Sequence, residues 1–158
     1  RNRVTAGARS VVCQETELRG EISIGTVIHP QCRIIAENGP IYIGKNNIIE
    51  ENPFDVYFLL LTLLIDVEGS RIGNNNIVEA RSRIKGSSAI GNHCVIGAAC
   101  TTESNETIPD LTVIYGSQSK RRTQNEPLPT QATLHARHLD YLREVLPKYN
   151  HLKKLEAN

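Results

Sequence analysis

Tryptophan and methionine are absent from this chain of 158 residues, and aromatic side chains make up only 4% of it. A close-packed interior without large rings is a slim one, filled here by isoleucine and valine. Neither sign of charge dominates: 18 basic residues against 17 acidic ones leave a net charge of +1. No global field is therefore available to hold nucleic acid or an anionic membrane, and neither is expected as a partner. Long hydrophobic runs are also missing. The one apolar stretch, Phe54 to Ile65, is interrupted by Asp55 and is too short to cross a bilayer. No signal-peptide pattern is visible at the N-terminal end. The chain has only four cysteines, without Cys-x-x-Cys or Cys/His metal spacing, which argues against a disulfide framework or a zinc site and favours a reducing compartment.

What is present is a strict period of six. Ile72, Val78, Ile84, Ile90, Ile96, Thr102, Ile108 and Ile114 recur at that interval, which matches neither a helix nor a hairpin. A second, mostly compact set lies four residues further on: Asn76, Ser82, Ser88, Cys94, Cys100, Glu106, Thr112 and Gln118. Side chains alternate faces along a short strand, so the aliphatic and the compact residue two before it both point inward. Cys32, Cys94 and Cys100 occupy compact inward positions, whereas Cys13, following Val12, points outward. Pairs such as Asn74-Asn75, Gly86-Ser87 and Asn92-His93 then fall at the corners, where a left-handed backbone is needed. The fold class is an all-β solenoid, a left-handed parallel β-helix of hexapeptide rungs, with a C-terminal α-helix.

The β-helix is expected over residues 1–119, interrupted by an off-register insertion at about 53–71. The same register runs from Ala6 through Val12 and Leu18 to Ile24, but Ile24 to Ile28 is short by two residues, as if part of a rung were missing. Glu37 to Tyr42 bulges from a corner through Gly39-Pro40. The insertion carries Phe54, Tyr57 and Phe58 with a run of leucines. It reads equally as a cover for one prism face and as an exposed apolar patch awaiting a partner. Residues 120–132 read as a linker, with Lys120, Arg121 and Arg122 as solvated charges and Pro127 and Pro129 keeping the segment extended.

Residues 133–158 form the helical tail. Leu134, Leu139, Leu142, Val145 and Leu146 recur at helical spacing, Thr133 is placed to cap the start, and Pro147 should end or kink the helix ahead of a second piece from Lys148 to Leu155. The candidate site is the tail's docking face on the β-helix, carried by Leu139, Leu142 and Leu146.

Chains with this period include acyltransferases and zinc carbonic anhydrases, both of which depend on histidines. An acyltransferase needs a general base beside a groove for the acyl carrier. His29 and His93, the rung histidines, sit at corner or outward positions where a hydrogen-bonded surface role is the better reading. Catalytic zinc needs three protein ligands. His135 and His138, with His151 further along, read as the polar edge of the helix. No paired carboxylates and no nucleophile elbow appear, so no catalytic, cofactor or metal residue is assigned. An uncovered end of a β-solenoid, however, exposes unpaired backbone groups. With no cap visible before Ala6, the reading is an assembly component whose end or face a partner covers.

Several stretches carry a resemblance: Ile28-His29-Pro30, Gly39-Pro40-Ile41, Ile96-Gly97-Ala98, Val113-Ile114-Tyr115-Gly116, Arg121-Arg122, and above all Leu146-Pro147-Lys148-Tyr149-Asn150-His151-Leu152-Lys153-Lys154. Together they resemble the dynactin subunit 6 family, the smaller left-handed β-helix subunits of the dynactin pointed-end complex. The resemblance covers both rung blocks and the tail and fails across Pro53 to Arg71. It implies a non-enzymatic structural subunit that supports dynein cargo and adaptor targeting. Its implied neighbours are dynactin subunit 5 (a second β-helix), the actin-related pointed-end cap protein, dynactin subunit 4, and dynein adaptors through the assembly. The implied location is the cytoplasm and cytoskeleton, with the kinetochore as a further site. The alternative is a hexapeptide-repeat enzyme, acyltransferase or carbonic-anhydrase-like.

Overall fold

The computed structural model describes residues 3–50, 64–66, 70–126 and 129–157. The expected insertion lies mostly outside the described residues, as does its aromatic and leucine-rich patch. The chain winds into a left-handed β-helix closed by one helix. The first turn holds β1 (Arg3–Ala6), β2 (Val11–Val12) and the start of β3 (Glu17–Ile28). β3 continues into the second turn, which β4 (Arg33–Ile49) carries on into the third, completed by β5 (Leu64–Asp66). The next turn has β6 (Arg71–Ile72) and β7 (Ile77–Val78), the following one β8 (Ala89–Ile90) and β9 (Val95–Ile96), and the last β10 (Thr107–Ile108) and β11 (Thr112–Tyr115). Then come β12 (Lys120–Thr123), α1 (Pro129–Tyr149) and β13 (Glu156–Ala157).

Three flat faces result. The first runs through β1, β6, β8 and β10 and the middle parts of β3 and β4; the second through β2, β7, β9 and β11; the third is carried by the starts of β3 and β4 and by β5. From β6 and β7 onward, successive turns pair in parallel at eighteen-residue intervals, as in Arg71 with Ala89 and Ile77 with Val95. From Ile72 to Gln118 the inward aliphatics and compact residues of the six-residue period are buried, Glu106 and Gln118 excepted.

The corners explain the period. A left-handed backbone recurs every sixth residue at Asn75, Arg81, Ser87, His93, Ala99, Asn105 and Leu111, three residues after each inward aliphatic. Side-chain ladders reinforce one edge. Asn74 Oδ1 accepts from the Lys45 amide at 2.7 Å, Asn92 Oδ1 from the Asn74 amide at 2.8 Å, and Asp110 Oδ1 from the Asn92 amide at 2.8 Å. These caps are why glycine precedes them: a Cβ on Gly73 would lie 2.4 Å from the Gly91 carbonyl oxygen and 2.6 Å from Asn92 Oδ1. Inside the same edge, buried Asn47 and Asn76 accept from the amides of Asn76 and Cys94 at 2.8 and 2.7 Å and donate to Gly73 and Gly91, leaving no orphaned amide.

The short rung at Gly25-Thr26 is absorbed without a break. β3 runs through that corner while its pairing with β4 shifts register, and the buried Thr26 hydroxyl donates to the Asn47 carbonyl.

Several expectations for the C-terminal part are corrected. Gln118 is exposed, because the chain reverses at Gly116–Ser119 and Lys120–Thr123, expected as linker, pairs antiparallel with β11 as β12. Gly116 at φ 76° and Ser119 at φ 50° make that reversal possible. α1 begins at Pro129, and Thr133 does not cap it but donates to the Pro129 carbonyl at 3.0 Å. Proline suits a first turn because its missing N–H has no partner there anyway. Pro147 does not stop the helix, which ends at Tyr149 with Asn150 donating to the Leu146 carbonyl at 2.9 Å. The expected second helical piece is instead an extended stretch leading to β13.

Candidate functional site

The second face carries an outward stripe of its own. Val11, Val27, Ile48, Ile77, Val95 and Val113 each precede an inward aliphatic, and the pairing register stacks them. Outward aliphatics on a flat sheet need a cover, and α1 supplies it over the first turns. Leu139, Leu142 and Leu146 lie on one side of the helix and are buried in a cluster with Val11, Cys13, Val27 and Ile48. Cys13 does point away from the prism axis, yet it has 0% exposure because the tail lies over it.

A polar frame fixes the helix above that cluster. Arg143 donates to the Arg9 carbonyl at 3.1 Å and to Asn46 Oδ1 at 3.2 Å. Arg9 pairs with Asp140 at 2.9 Å, and His135 Nε2 meets the Asn46 carbonyl at 2.7 Å. Both Arg9 and Asp140 are mostly exposed, so their pair mainly sets orientation.

The tail then closes the N-terminal end. Gln14 donates to His151 at 2.7 Å, Lys153 donates to Val12 at 2.8 Å, and Cys13 bridges Leu152. β13 pairs in parallel with β1, Thr5 opposite Glu156 and Ala6 opposite Ala157, and Leu155 packs against the inner core. The expectation that this end lacks a cap is thus corrected: the cap comes from the other end of the chain. The opposite end is plugged by Glu106, whose carboxylate receives two bonds of 2.7 Å from Arg121 of β12. That guanidinium holds the Glu106 carboxyl below its ordinary value. Pro109 follows on the first face, and its missing N–H removes the donor that Gly73 and Gly91 use in earlier turns.

Beyond the packed leucines, the helix and the second face separate around a cavity of about 480 Å³, lined by Ile77, Val95 and Leu134 and by His93, His135 and His138. Burial pushes the His135 pKa down, with His138, His93 and Arg143 adding to the effect and the Asn46 bond opposing it. His29 is lowered by burial and by nearby His138, and its buried Nε2 has no hydrogen-bond partner. Glu50 is raised by burial and by Glu79. Sequence spacing did not show that His93, His135 and His138 converge on this cavity from rung and tail, with His29 close enough to His138 to feel its charge. Even so, among the described residues no group of three or more His, Cys, Asp or Glu is placed to hold a metal ion. His151 lies apart, at the N-terminal closure.

No protein-family model matches the chain. Whole proteins do. Dynactin subunit 6 of Nematostella vectensis is 45% identical over 94% of this chain and 91% of its own length. The chain belongs to the dynactin subunit 6 family. Members from Danio rerio, at 40% identity over 96% of this chain and 87% of their own, and from Dictyostelium discoideum, at 31% over 92% and 86%, extend the family across animals and an amoeba. An acyl-[acyl-carrier-protein]–UDP-N-acetylglucosamine O-acyltransferase of Saccharophagus degradans is 32% identical, but over 59% of this chain and 39% of its own. The solved UDP-N-acetylglucosamine O-acyltransferase of Moraxella catarrhalis superposes with a TM-score of 0.54 at 15% identity, over 93% of this chain and 74% of that one. It shares the fold with the dynactin subunit 6 family.

Proposed function

We propose that this chain is a non-enzymatic structural subunit of dynactin. It works in the pointed-end complex beside dynactin subunit 5, the actin-related cap protein and subunit 4, and supports the attachment of dynein adaptors and cargo. The observation that carries the reading is whole-length similarity to dynactin subunit 6, tail included. The tail supports it physically, since the α1 face and β13 hold the solenoid closed as a rigid block. The cytoplasm and cytoskeleton are the corresponding location, with the kinetochore as a further site.

The enzyme reading rests on the acyltransferase fold neighbour. Against it, His93, His135 and His138 line a cavity beneath α1, and His135 is committed to the main chain at Asn46. The test is affinity purification of the tagged full chain from cytosol. Co-purification of the dynactin actin-like filament subunits, identified by mass spectrometry, is expected. A homotrimer that transfers acyl groups from an acyl thioester and carries no dynactin would overturn the proposal.

A further inference from the structure

The two margins of the solenoid are treated differently. At the N-terminal margin β1 is paired by β13, and at the first face of the C-terminal margin Pro109 lacks a donor. On the second face the sheet instead ends in β12, which has β11 on one side and no described strand on the other. All four of its residues are exposed. Gln124 donates to the Leu111 carbonyl at 2.9 Å, so by antiparallel alternation Arg122 and Lys120 also turn their main-chain groups toward β11. The N–H and C=O groups of Arg121 and Thr123 therefore face the open side.

This edge is held rigid before any partner arrives. The reversal closes with Ser119 donating to the Gly116 carbonyl at 3.0 Å, and the two bonds from Arg121 to Glu106 pin the strand's middle to the prism. Its outer side is basic. Lys120 and Arg122 have no carboxylate partner among the described residues, and Arg122 lies 5.7 Å above the Tyr115 ring. Such an edge repels its own copy, Lys120 and Arg122 against Lys120 and Arg122, while its backbone groups stay available to a strand of opposite charge.

We propose that the free edge of β12 takes up an extended acidic segment of a partner protein as an added strand. The main-chain groups of Arg121 and Thr123 supply the ladder, and carboxylates of the incoming strand meet Lys120 and Arg122 on the outer face. The proposal rests on the reading of this chain as a protein-binding subunit and names the chemistry of one of its contacts.

The probe is a labelled synthetic peptide alternating valine with glutamate, titrated into the full chain and read by fluorescence anisotropy and by amide shifts of β12. Its controls are a valine–lysine peptide and the glutamate peptide N-methylated at alternate residues, in either register. The glutamate peptide is expected to bind, to move the amides of Arg121 and Thr123, and to weaken about tenfold in one N-methylated register and in the Lys120→Glu/Arg122→Glu double variant. Absence of binding, equal binding of the lysine peptide, or full binding of both N-methylated peptides would overturn the proposal, the last outcome meaning charge attraction without a ladder. Co-purification with dynactin is read separately. A chain that joins dynactin but ignores the peptide sinks only the strand contact, and a chain that never joins dynactin sinks the functional reading whatever the peptide does.

Discussion

Ala99 holds a left-handed corner at φ 59°, a conformation its neighbours in the series give to Asn75, Ser87 and Asn105. A Cβ there costs roughly 1 to 2 kcal/mol, so Ala99→Gly should raise stability by about 1 kcal/mol in a denaturant titration. The reverse change at Gly73 should lower it, because the new methyl meets Gly91 and Asn92 head-on. The Glu106–Arg121 plug gives a pH signature. Arg121 holds the Glu106 carboxyl below the ordinary 4.5, so its contribution is complete above that value and fades as pH falls through the lower folded value. Arg121→Met should lower stability by about 1 to 3 kcal/mol at neutral pH, and Glu106→Gln should flatten the acid limb of the unfolding profile. At this scale the sequence was legible wherever one side chain has one possible place, as with the inward Ile72, Ile84 and Ile90. It was silent on Arg81 and Leu111, which take the same corner geometry with no local propensity for it.

α1 is an element whose stability lies in its contact rather than in itself. Leu142→Ala removes a buried side chain from the cluster with Val11, Val27 and Ile48 and should cost about 2 to 5 kcal/mol in the unfolding free energy. Unchanged melting would show that the helix is not docked. His29 and His135 are both depressed below 6.5, so an undocked imidazole binds protons more readily than a docked one. Docking should therefore be complete above about pH 6.5 and weaken as pH falls toward the folded values, with faster amide exchange in α1 as the readout. His138 adds to this effect at both sites, and His93 and Arg143 add to it at His135. Glu50, raised by burial and Glu79, relaxes in the opposite sense on further acidification. His135→Gln should make the exchange less dependent on pH.

The leucine face of α1 was readable because a period of 3.6 stands out against polar surroundings. Its counterpart was not, although a signal existed: an aliphatic residue immediately before the inward one in every third rung, from Val11 to Val113. β12 and β13 were unreadable for another reason. Lys-Arg-Arg-Thr and Glu-Ala have little strand propensity, and only distant pairing partners make them strands.

On the scale of the whole molecule, a solenoid is an array in which each turn touches only its neighbours, so its weak points are its two ends. This chain covers the core at both with its own residues, Leu155 and β13 at one, Glu106 and Arg121 at the other, and leaves the outer edge of β12 open. Removal of residues 153–158 should strip the cover from β1 and from the Val12 carbonyl, and the truncated chain should form concentration-dependent oligomers visible by light scattering.

The pairing of Thr5 with Glu156 also sets an order of events during synthesis. β1 leaves the ribosome long before β13, the strand that seals it. Until β13 is made that margin stays bare, and nascent chains spaced along one message present it to each other. A cell making this protein is expected to chaperone or space those chains until β13 emerges.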